Sequence, residues 1–272
     1  MQKPRQPKAA TKSTTTKPKP DKAKAPTSAA GSERINRYLA RCGLCSRREA
    51  DRWIAAGRIS INDNRITEPG VQIGPKDVVA VDGKPVSRVE SFTYILYHKP
   101  RGLLCARHDP KGRPLIYDKL DVAANVQNVG RLDMDTEGLL LLTDDGDLTR
   151  ALTNPRNELP REYRVRVGGR LELETLEKLR HGGLDIGKGE KSAPWEVSVD
   201  SETGGHTWLT VIIKRGRWRE VRRTLEAAGH PVRRLIRTRF GSLKLEPDMP
   251  VGSWIRLNAA EVRRLKASVA GR

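Results

Sequence analysis

The sequence GRLDMDTEGLLLLT, at residues 130–143, places an acid in a loop directly before a continuous apolar run. A run of four leucines without alternation, at 139–142, predicts a strand that is buried on both faces of a sheet. Asp133 lies in the loop before that strand. Because a buried strand holds its adjoining loop rigidly, Asp133 is placed as a catalytic nucleophile would have to be.

The acids around this loop also allow plainer interpretations, as a magnesium site of a metal-dependent nuclease or as a solvated acidic loop. The six carboxylates belong to Asp133, Asp135, Glu137, Asp144, Asp145 and Asp147. Asp144 and Asp145 are typical of a turn, and Asp147 is typical of a helix N-cap. Asp133 differs from them because Arg131 lies two residues before it and the apolar Leu132 anchors the loop beside it.

The composition indicates a polyanionic partner. The chain has 52 Lys and Arg against 33 Asp and Glu, a formal net charge of +19, of which +7 falls in residues 1–31 and +12 in the rest. Nucleic acid is the first candidate and an acidic membrane surface the second. No apolar run approaches the roughly 20 residues of a spanning helix, and the N-terminus lacks the apolar core of a signal peptide. Three cysteines without a disulfide framework fit a reducing compartment, so we expect a cytoplasmic protein that acts on RNA.

Composition and pattern divide the chain into three segments. Residues 1–31 have no large apolar residue after Met1, which predicts a disordered basic tail that either gathers RNA or merely aids solubility. Residues 33–86 predict a small module of two helices and two hairpins. Residues 91–265 alternate strands and helices, and their mixed order favours an antiparallel-rich α+β domain over a doubly wound sheet.

The small module combines a helix start with dense positive charge. The segment SRRE at 46–49 is a capping box that opens a helix with Ala50, Trp53 and Ile54 inward. Five arginines crowd the module and favour phosphate contacts over a merely solvated face: Arg41, Arg47, Arg48, Arg52 and Arg58. The patterns INRYLA at 35–40, SRREA at 46–50 and GRISIN at 57–62 resemble an S4 RNA-binding domain.

Two residues elsewhere in the larger domain are candidates for a site with Asp133. A helix over 218–228 would have Trp218, Val221 and Leu225 on its apolar face, with Arg222 at the edge of that face. A guanidinium there requires an anion, either in a structural ion pair, on an RNA phosphate or at an active site. Tyr163 lies in an alternating strand, where it is either a core residue or a platform for an extruded base.

These segments resemble the pseudouridine synthases that modify ribosomal RNA. The segment 130–143 is similar to the active-site motif of that family, YHKPRG at 97–102 to its first motif, and GRWREVRR at 216–223 to its third. The segment 104–114 is similar to a subgroup that acts on large-subunit (23S) RNA. Together the resemblances span roughly residues 33–245. Many relatives carry Gln where this chain has Glu220, and the resemblance implies no role for Glu220.

The resemblance implies a fold, an activity and a set of site residues. It implies an α+β protein with an S4-like domain and an antiparallel-rich mixed-sheet synthase domain. It implies that Asp133 is the catalytic acid, that Arg222 pairs with it and that Tyr163 stacks on the target uracil. Further RNA contacts are expected from basic side chains near these motifs: Lys99, Arg107, Arg113 and Arg131. Lys99 and the turn beside it could instead shape the pocket.

The implied reaction is the isomerisation of a specific uridine of ribosomal RNA, in the 23S molecule, to pseudouridine. Because an isomerisation needs no redox partner or group donor, we expect no cofactor and no metal. Asp133 could attack C1′ of the ribose, add to C6 of the uracil, or act as a base that generates a glycal, and the sequence leaves all three open. A zinc or redox role for Cys42 and Cys45 lacks a second ligand pair. The alternative function is a non-catalytic RNA-binding factor of ribosome assembly. We expect a monomer in either case.

Overall fold

The structure, a computed structural model, describes residues 32–87 and 91–270. The predicted basic tail at 1–31 therefore lies outside the described residues. In the two described ranges, no helix combines the length and the apolar composition needed to cross a membrane.

The small N-terminal module packs two helices against short antiparallel strands. Ser46 accepts a hydrogen bond from the backbone of Glu49, which confirms the predicted helix start. Of the predicted inward residues, Ala50 and Ile54 are buried, whereas Trp53 is half-buried and donates from its Nε1 to Glu49. Four strands pair in the order β3-β2-β5-β6, and β1 pairs with β4. The elements are β1 (Glu33–Arg34), α1 (Ile35–Arg41), α2 (Arg47–Ala55), β2 (Ile59–Ile61), β3 (Asn64–Ile66), β4 (Gln72–Ile73), β5 (Val79–Val81) and β6 (Lys84–Val86).

The larger domain is built on one mixed sheet with the order β11-β12-β10-β13-β9-β7-β15. Its strands are β7 (Tyr94–Lys99), β8 (Gln127–Asn128), β9 (Glu137–Thr143), β10 (Arg161–Gly168), β11 (Glu196–Thr203), β12 (His206–Ile213), β13 (Val232–Phe240), β14 (Leu243–Lys244) and β15 (Trp254–Arg256). The pairing of β13 with β9 is parallel, and the other pairings in this sheet are antiparallel. The predicted antiparallel-rich α+β class is confirmed.

Helices and short turns cover the two faces of this sheet. The helices are α3 (Gly146–Thr153), α4 (Leu173–His181), α5 (Glu220–Ala227) and α6 (Ala259–Ala267), and the 3-10 turns are Ile116–Lys119 and Pro155–Asn157. Asp145, not Asp147 as predicted, caps α3 by accepting a hydrogen bond from the backbone of Leu148. The side chain of Asp147 instead pairs with Arg37 of the small module.

Strand β9 is the centre of the hydrophobic core, because all seven of its residues are buried. Leu140 and Leu142 belong to the apolar cluster on one face of the sheet, whereas Leu139 and Leu141 belong to the cluster on the other. This alternation confirms that the leucine run is buried on both faces. At its start, Gly138 has a φ of +106°, and a Cβ there would lie 2.3 Å from the carbonyl oxygen of Arg237. Only glycine allows β13 to approach β9 this closely.

Candidate active site

The loop that carries Asp133 is held by a buried ammonium group. Lys99, at the end of β7, is fully buried, and its Nζ donates hydrogen bonds to the carbonyls of Pro100 (2.9 Å), Asp133 (3.2 Å) and Thr136 (2.9 Å). The backbone N–H of Gly102 also donates to the carbonyl of Met134 at 2.7 Å. The expectation that Lys99 contacts RNA is wrong, because its charge is satisfied inside the protein. Its role is to fix the shape of the loop.

Asp133 lies partly exposed on this loop, in surroundings that oppose its ionisation. About a third (34%) of its side chain is exposed, and Nη1 of Arg219 lies 3.7 Å from its Oδ2. Burial raises the pKa of Asp133 above its ordinary value and the negative charge of Asp135 adds to the rise, while Arg219, Arg222 and Arg131 lower it. The arginines therefore oppose, without reversing, the effect of burial and of Asp135 on this pKa.

The predicted pairing of Arg222 with Asp133 is replaced by a pairing with Asp135. Nε of Arg222 lies 3.3 Å from Oδ2 of Asp135, and its Nη2 donates to the carbonyl of Asp135 at 2.8 Å. Arg219 donates two hydrogen bonds to the same carboxylate, at 3.1 and 3.2 Å. Burial acts to raise the pKa of Asp135, but these two guanidiniums outweigh it and lower that pKa. Asp135 thus anchors both arginines beside Asp133.

Sequence reasoning missed Arg219 because it placed the helix too early. Helix α5 begins at Glu220, not at 218, and Arg219 precedes it in the left-handed conformation, with φ 49°. A helical wheel drawn from Trp218 therefore does not apply. Trp218 is not on an apolar face as predicted: 54% of it is exposed. The signal that could have found Arg219 is its place within the third motif, directly before the helix.

Tyr163 meets the other candidates in one cavity. It is almost fully buried in β10, on the same face as Val165 and Val167. A cavity of about 300 Å³ is lined by Tyr163, Asp133 and Arg222, so the structure brings the three predicted site residues together. Its charged lining is mostly cationic, with the arginines Arg131, Arg161, Arg217, Arg219, Arg222 and Arg237 against the acids Asp133 and Glu220. Such a cavity suits an anionic ligand with a planar apolar part.

The predicted RNA-contact residues of the small module differ in their exposure and partners. Arg47 and Arg48 are exposed on α2. The Arg52 side chain is 73% exposed and pairs with Glu49. Arg58 is bound to Asp82 and stacks over Trp53, and Arg41 pairs with Glu33, so these two guanidiniums have internal partners. The exposed face of α2 is the part best suited to phosphate contacts.

The predicted RNA-contact residues of the larger domain also fall into two groups: side chains bound to other protein groups, and side chains that are exposed. Arg107 donates to the carbonyls of two residues of the 123–126 turn and stacks over Tyr117 at 3.9 Å. Arg113 forms a two-point bond with Asp109. Both guanidiniums thus brace the 104–126 region. Arg131 is exposed and lines the cavity, which leaves it placed to contact RNA.

The surroundings of Cys42 and Cys45 do not favour metal binding or redox chemistry at either thiol. Cys42 is buried, and burial raises the pKa of the Cys45 thiol to about 11, which disfavours the thiolate that metals and redox partners require. Within residues 32–87 and 91–270, no group of three or more His, Cys, Asp or Glu side chains is arranged to hold a metal ion.

Comparison with known proteins shows similarity over most of the chain. The family described as RNA pseudouridylate synthase matches residues 93–227, and the S4 domain matches residues 33–79. Proteins named ribosomal large subunit pseudouridine synthase B, from Escherichia coli and Salmonella typhimurium, are 40% and 39% identical over 246 residues, covering 88% of this chain and 84% of theirs. A crystal structure of a pseudouridylate synthase aligns with a TM-score of 0.62 and 27% identity, over 85% of this chain and 99% of that one.

Proposed function

This chain belongs to the RNA pseudouridylate synthase family, and we propose that it converts one uridine of large-subunit (23S) ribosomal RNA to pseudouridine. The family membership makes it an RNA pseudouridine synthase with an S4 domain. Its similarity to relatives named for the ribosomal large subunit supports the choice of RNA. The proposal goes further by naming the 23S molecule and the residues that carry out the reaction.

The observation that supports the site is the convergence of Asp133, Tyr163 and Arg219 around one cationic cavity. These residues come from the loop before β9, from strand β10 and from the residue preceding α5. An acid with an arginine at 3.7 Å and an aromatic side chain in the same cavity is what the chemistry of an extruded uridine requires. Asp133 is the proposed catalytic residue.

The reaction is an internal exchange of bonds at the target nucleotide. The bond between N1 of the uracil and C1′ of the ribose breaks, the uracil rotates, and C5 bonds to C1′ while its proton is lost and N1 gains one. Asp133 must begin ionised whether it attacks C1′, adds to C6 or removes a ribose proton. Arg219 directly, and Arg222 beside Asp135, supply a positive field that favours this ionised form.

Tyr163 and the S4 domain have separate proposed roles. The ring of Tyr163 stacks on the extruded uracil, which holds the base while it rotates. The exposed arginines of α2, with Arg131 at the cavity, bind phosphates of the surrounding RNA. Affinity therefore comes mainly from the small domain and chemistry from the larger one.

The experiment that tests the function is modification of unmodified ribosomal RNA in vitro. The purified protein is incubated with large-subunit and, separately, small-subunit RNA transcripts, and pseudouridine is mapped by carbodiimide-dependent stops in primer extension. We expect one stop in the large-subunit RNA, and none with the Asp133→Asn variant. Modification of the small-subunit RNA alone would contradict the proposed substrate. Binding without modification of either RNA would favour an assembly factor.

A further inference from the structure

A second cavity adjoins the active-site cavity. It has a volume of about 610 Å³ and lies between the end of β12, the start of α5 and the segment around Trp195. Ile213, Arg217 and Glu220 line both cavities, so the two share a wall. A ligand in the second cavity would therefore lie beside a uridine held in the first.

Glu220, on the shared wall, has one carboxylate oxygen without a partner. The residue is 2% exposed and is the first residue of α5. Its Oε2 accepts a hydrogen bond from the backbone N–H of Arg217 at 3.0 Å, whereas its buried Oε1 has no hydrogen-bond partner among the described residues. An unsatisfied buried carboxylate oxygen is costly, so it requires a partner such as a bound ligand, an ion or a water molecule.

Trp195, which also lines the second cavity, has a buried donor without a partner in the described part of the chain. It is 4% exposed, and its indole Nε1 is buried without a hydrogen-bond partner among the described residues. Its backbone, in contrast, is satisfied by the carbonyl of Leu179 at 3.1 Å. A buried indole N–H normally has an acceptor. Two residues that line the cavity therefore each have a buried polar atom without a partner among the described residues, one a donor and one an acceptor.

The charged side chains of the cavity suit a single nucleotide better than a bare polyanion. Lys191, Lys214 and Arg215 are exposed, and Arg217 donates to the carbonyl of Lys191 at 2.8 Å. Two exposed acids, Glu158 and Glu196, also line the cavity and would repel a run of phosphates. A ligand with one phosphate near the cations and a polar base inside satisfies both the charges and the unpaired atoms.

We propose that this second cavity receives the nucleotide next to the target uridine in the substrate RNA. Glu220 Oε1 accepts a hydrogen bond from an N–H of its base, and Trp195 Nε1 donates one to an acceptor on it. Glu220 is then a specificity-determining residue that selects the neighbour of the target. This inference rests on the proposed action on RNA, but it assigns a site and a ligand that the catalytic cavity does not contain.

The test exploits the hydrogen bond that fixes one end of Glu220. In Glu220→Gln the N–H of Arg217 still requires an oxygen, so the amide NH₂ must occupy the position of Oε1, and an acceptor becomes a donor. We expect kcat/KM on the mapped RNA to fall by about 10- to 100-fold, the range for a hydrogen bond to a charged group. The melting temperature should change little. Glu226→Gln, an exposed acid on the same helix, is the matched control and should retain full activity.

A change in the RNA identifies the partner of Glu220. An oligonucleotide that contains the target uridine is made with an abasic site at its 5′ neighbour or at its 3′ neighbour. One of these two abasic oligonucleotides should bind the wild-type protein and Glu226→Gln more weakly than the intact oligonucleotide does. Glu220→Gln should bind that abasic oligonucleotide and the intact one equally well, because the effects of removing two interacting partners are non-additive. Trp195→Phe, which removes only the indole donor, should show the same non-additivity if Glu220→Gln fails to fold.

Two results would overturn the inference. The first is wild-type kcat/KM in a folded Glu220→Gln variant. The second is additive loss with both abasic substrates in every variant, as expected for a cavity that holds only water. Failure of the wild-type protein to modify ribosomal RNA would instead overturn the proposed function. The inference would fall with it, whereas either of the two results above, obtained with an active wild-type protein, overturns the inference alone.

Discussion

Burial and a neighbouring acid both disfavour the ionised form of Asp133, whereas nearby arginines favour it. Burial raises its pKa, Asp135 raises it further, and Arg219 is the first of three arginines that lower it. A carboxylate in this balance is more basic than one on an open surface, which suits a group that must attack or remove a proton. The arginines lower the pKa of Asp133 and so favour its ionised form.

The Asp133→Asn substitution should abolish isomerisation while leaving RNA affinity within about twofold, roughly 0.4 kcal/mol. Asparagine has nearly the same shape and removes only the ionised oxygen. The measurement is single-turnover pseudouridine formation with saturating RNA, alongside the dissociation constant. Mass spectrometry of the variant must show that deamidation has not restored aspartate. An active, verified asparagine variant would rule out the proposed catalytic residue.

The same substitution should raise the melting temperature at pH 7. Because the pKa of Asp133 is raised on folding, its ionised form destabilises the folded state, and that effect is present above the folded-state pKa. As the pH falls through that pKa and then below the unfolded value of about 3.9, the aspartate becomes neutral and the advantage of asparagine should vanish. Thermal unfolding of both proteins from pH 3 to pH 8 measures this. A difference in melting temperature between the two proteins that grows as the pH falls would contradict this prediction.

Tyr163 should act mainly through the face of its ring. Tyr163→Phe retains that face and should bind RNA nearly as well as the wild type, whereas Tyr163→Ala should lose on the order of 1–3 kcal/mol of binding. Equilibrium binding of an RNA with the target uridine, compared with the same RNA with an abasic target, isolates the stacking contribution. Equal losses in both variants would argue against a stacking platform. The phenylalanine variant also tests the hydroxyl separately. If the hydroxyl transfers a proton, Tyr163→Phe should react more slowly than the wild type while binding RNA equally well.

At the scale of elements, the close approach of β13 to β9 positions the active-site loop. The strands pair in parallel, with Gly138 opposite Arg237, and the loop with Asp133 lies directly before β9. Arg237 in turn donates from its Nε to the carbonyl of Leu139 at 2.8 Å. The catalytic loop therefore depends on a backbone contact that a side chain at 138 would block.

Gly138→Ala should destabilise the protein by about 2–4 kcal/mol, because it adds overpacking to backbone strain. The added Cβ would lie 2.3 Å from the carbonyl oxygen of Arg237, which belongs to backbone and cannot move freely. Denaturant unfolding followed by tryptophan fluorescence measures the change. Gly146→Ala is the matched control, since nothing lies within 4 Å of its new Cβ and its φ is not positive. Equal free energies of unfolding for the two variants would show that β9 and β13 can move apart without destabilising the protein.

The whole molecule combines an RNA-binding domain and a catalytic domain that also touch directly. Nη2 of Arg37, in α1, donates to both carboxylate oxygens of Asp147 in α3, and Arg41 lies 4.0 Å from the same carboxylate. These contacts connect the small domain to the helix that follows β9. The arginines of α2 are left to face outward, where RNA can reach them.

Replacing Arg47, Arg48 and Arg52 with Gln should make RNA affinity less sensitive to salt. Each phosphate contact contributes about −0.7 to −0.9 to the slope of log affinity against log salt, so the slope should flatten by up to about two or three units. Filter binding at several salt concentrations gives the slope, and saturated single-turnover rates should stay near wild type. A matched variant with Arg170, Lys178 and Arg180 changed to Gln, all in the larger domain, should leave the slope nearly unaltered. A wild-type slope in the first variant would show that α2 does not contact RNA.

Local patterns in the sequence were sufficient for several features. The leucine run determined a strand buried on both faces, since any element without a polar face must lie between two apolar layers. The SRRE segment determined where α2 begins, because Ser46 satisfies a free backbone N–H without help from elsewhere. The motif around Asp133 predicted a loop acid beside a buried strand. These features depend on residues within a few positions of one another.

Features that depend on residues far apart were decided only by the tertiary structure. The sequence predicted that Arg222 pairs with Asp133 and that Lys99 contacts RNA, but the fold pairs Arg222 with Asp135 and buries Lys99 under the catalytic loop. Arg219 reaches Asp133 across more than 80 positions because β13 pairs with the start of β9, α5 packs on β13, and a left-handed residue delays the start of that helix. Such pairings depend on sheet order and on a single backbone conformation, and neither is encoded in the local spacing of side chains.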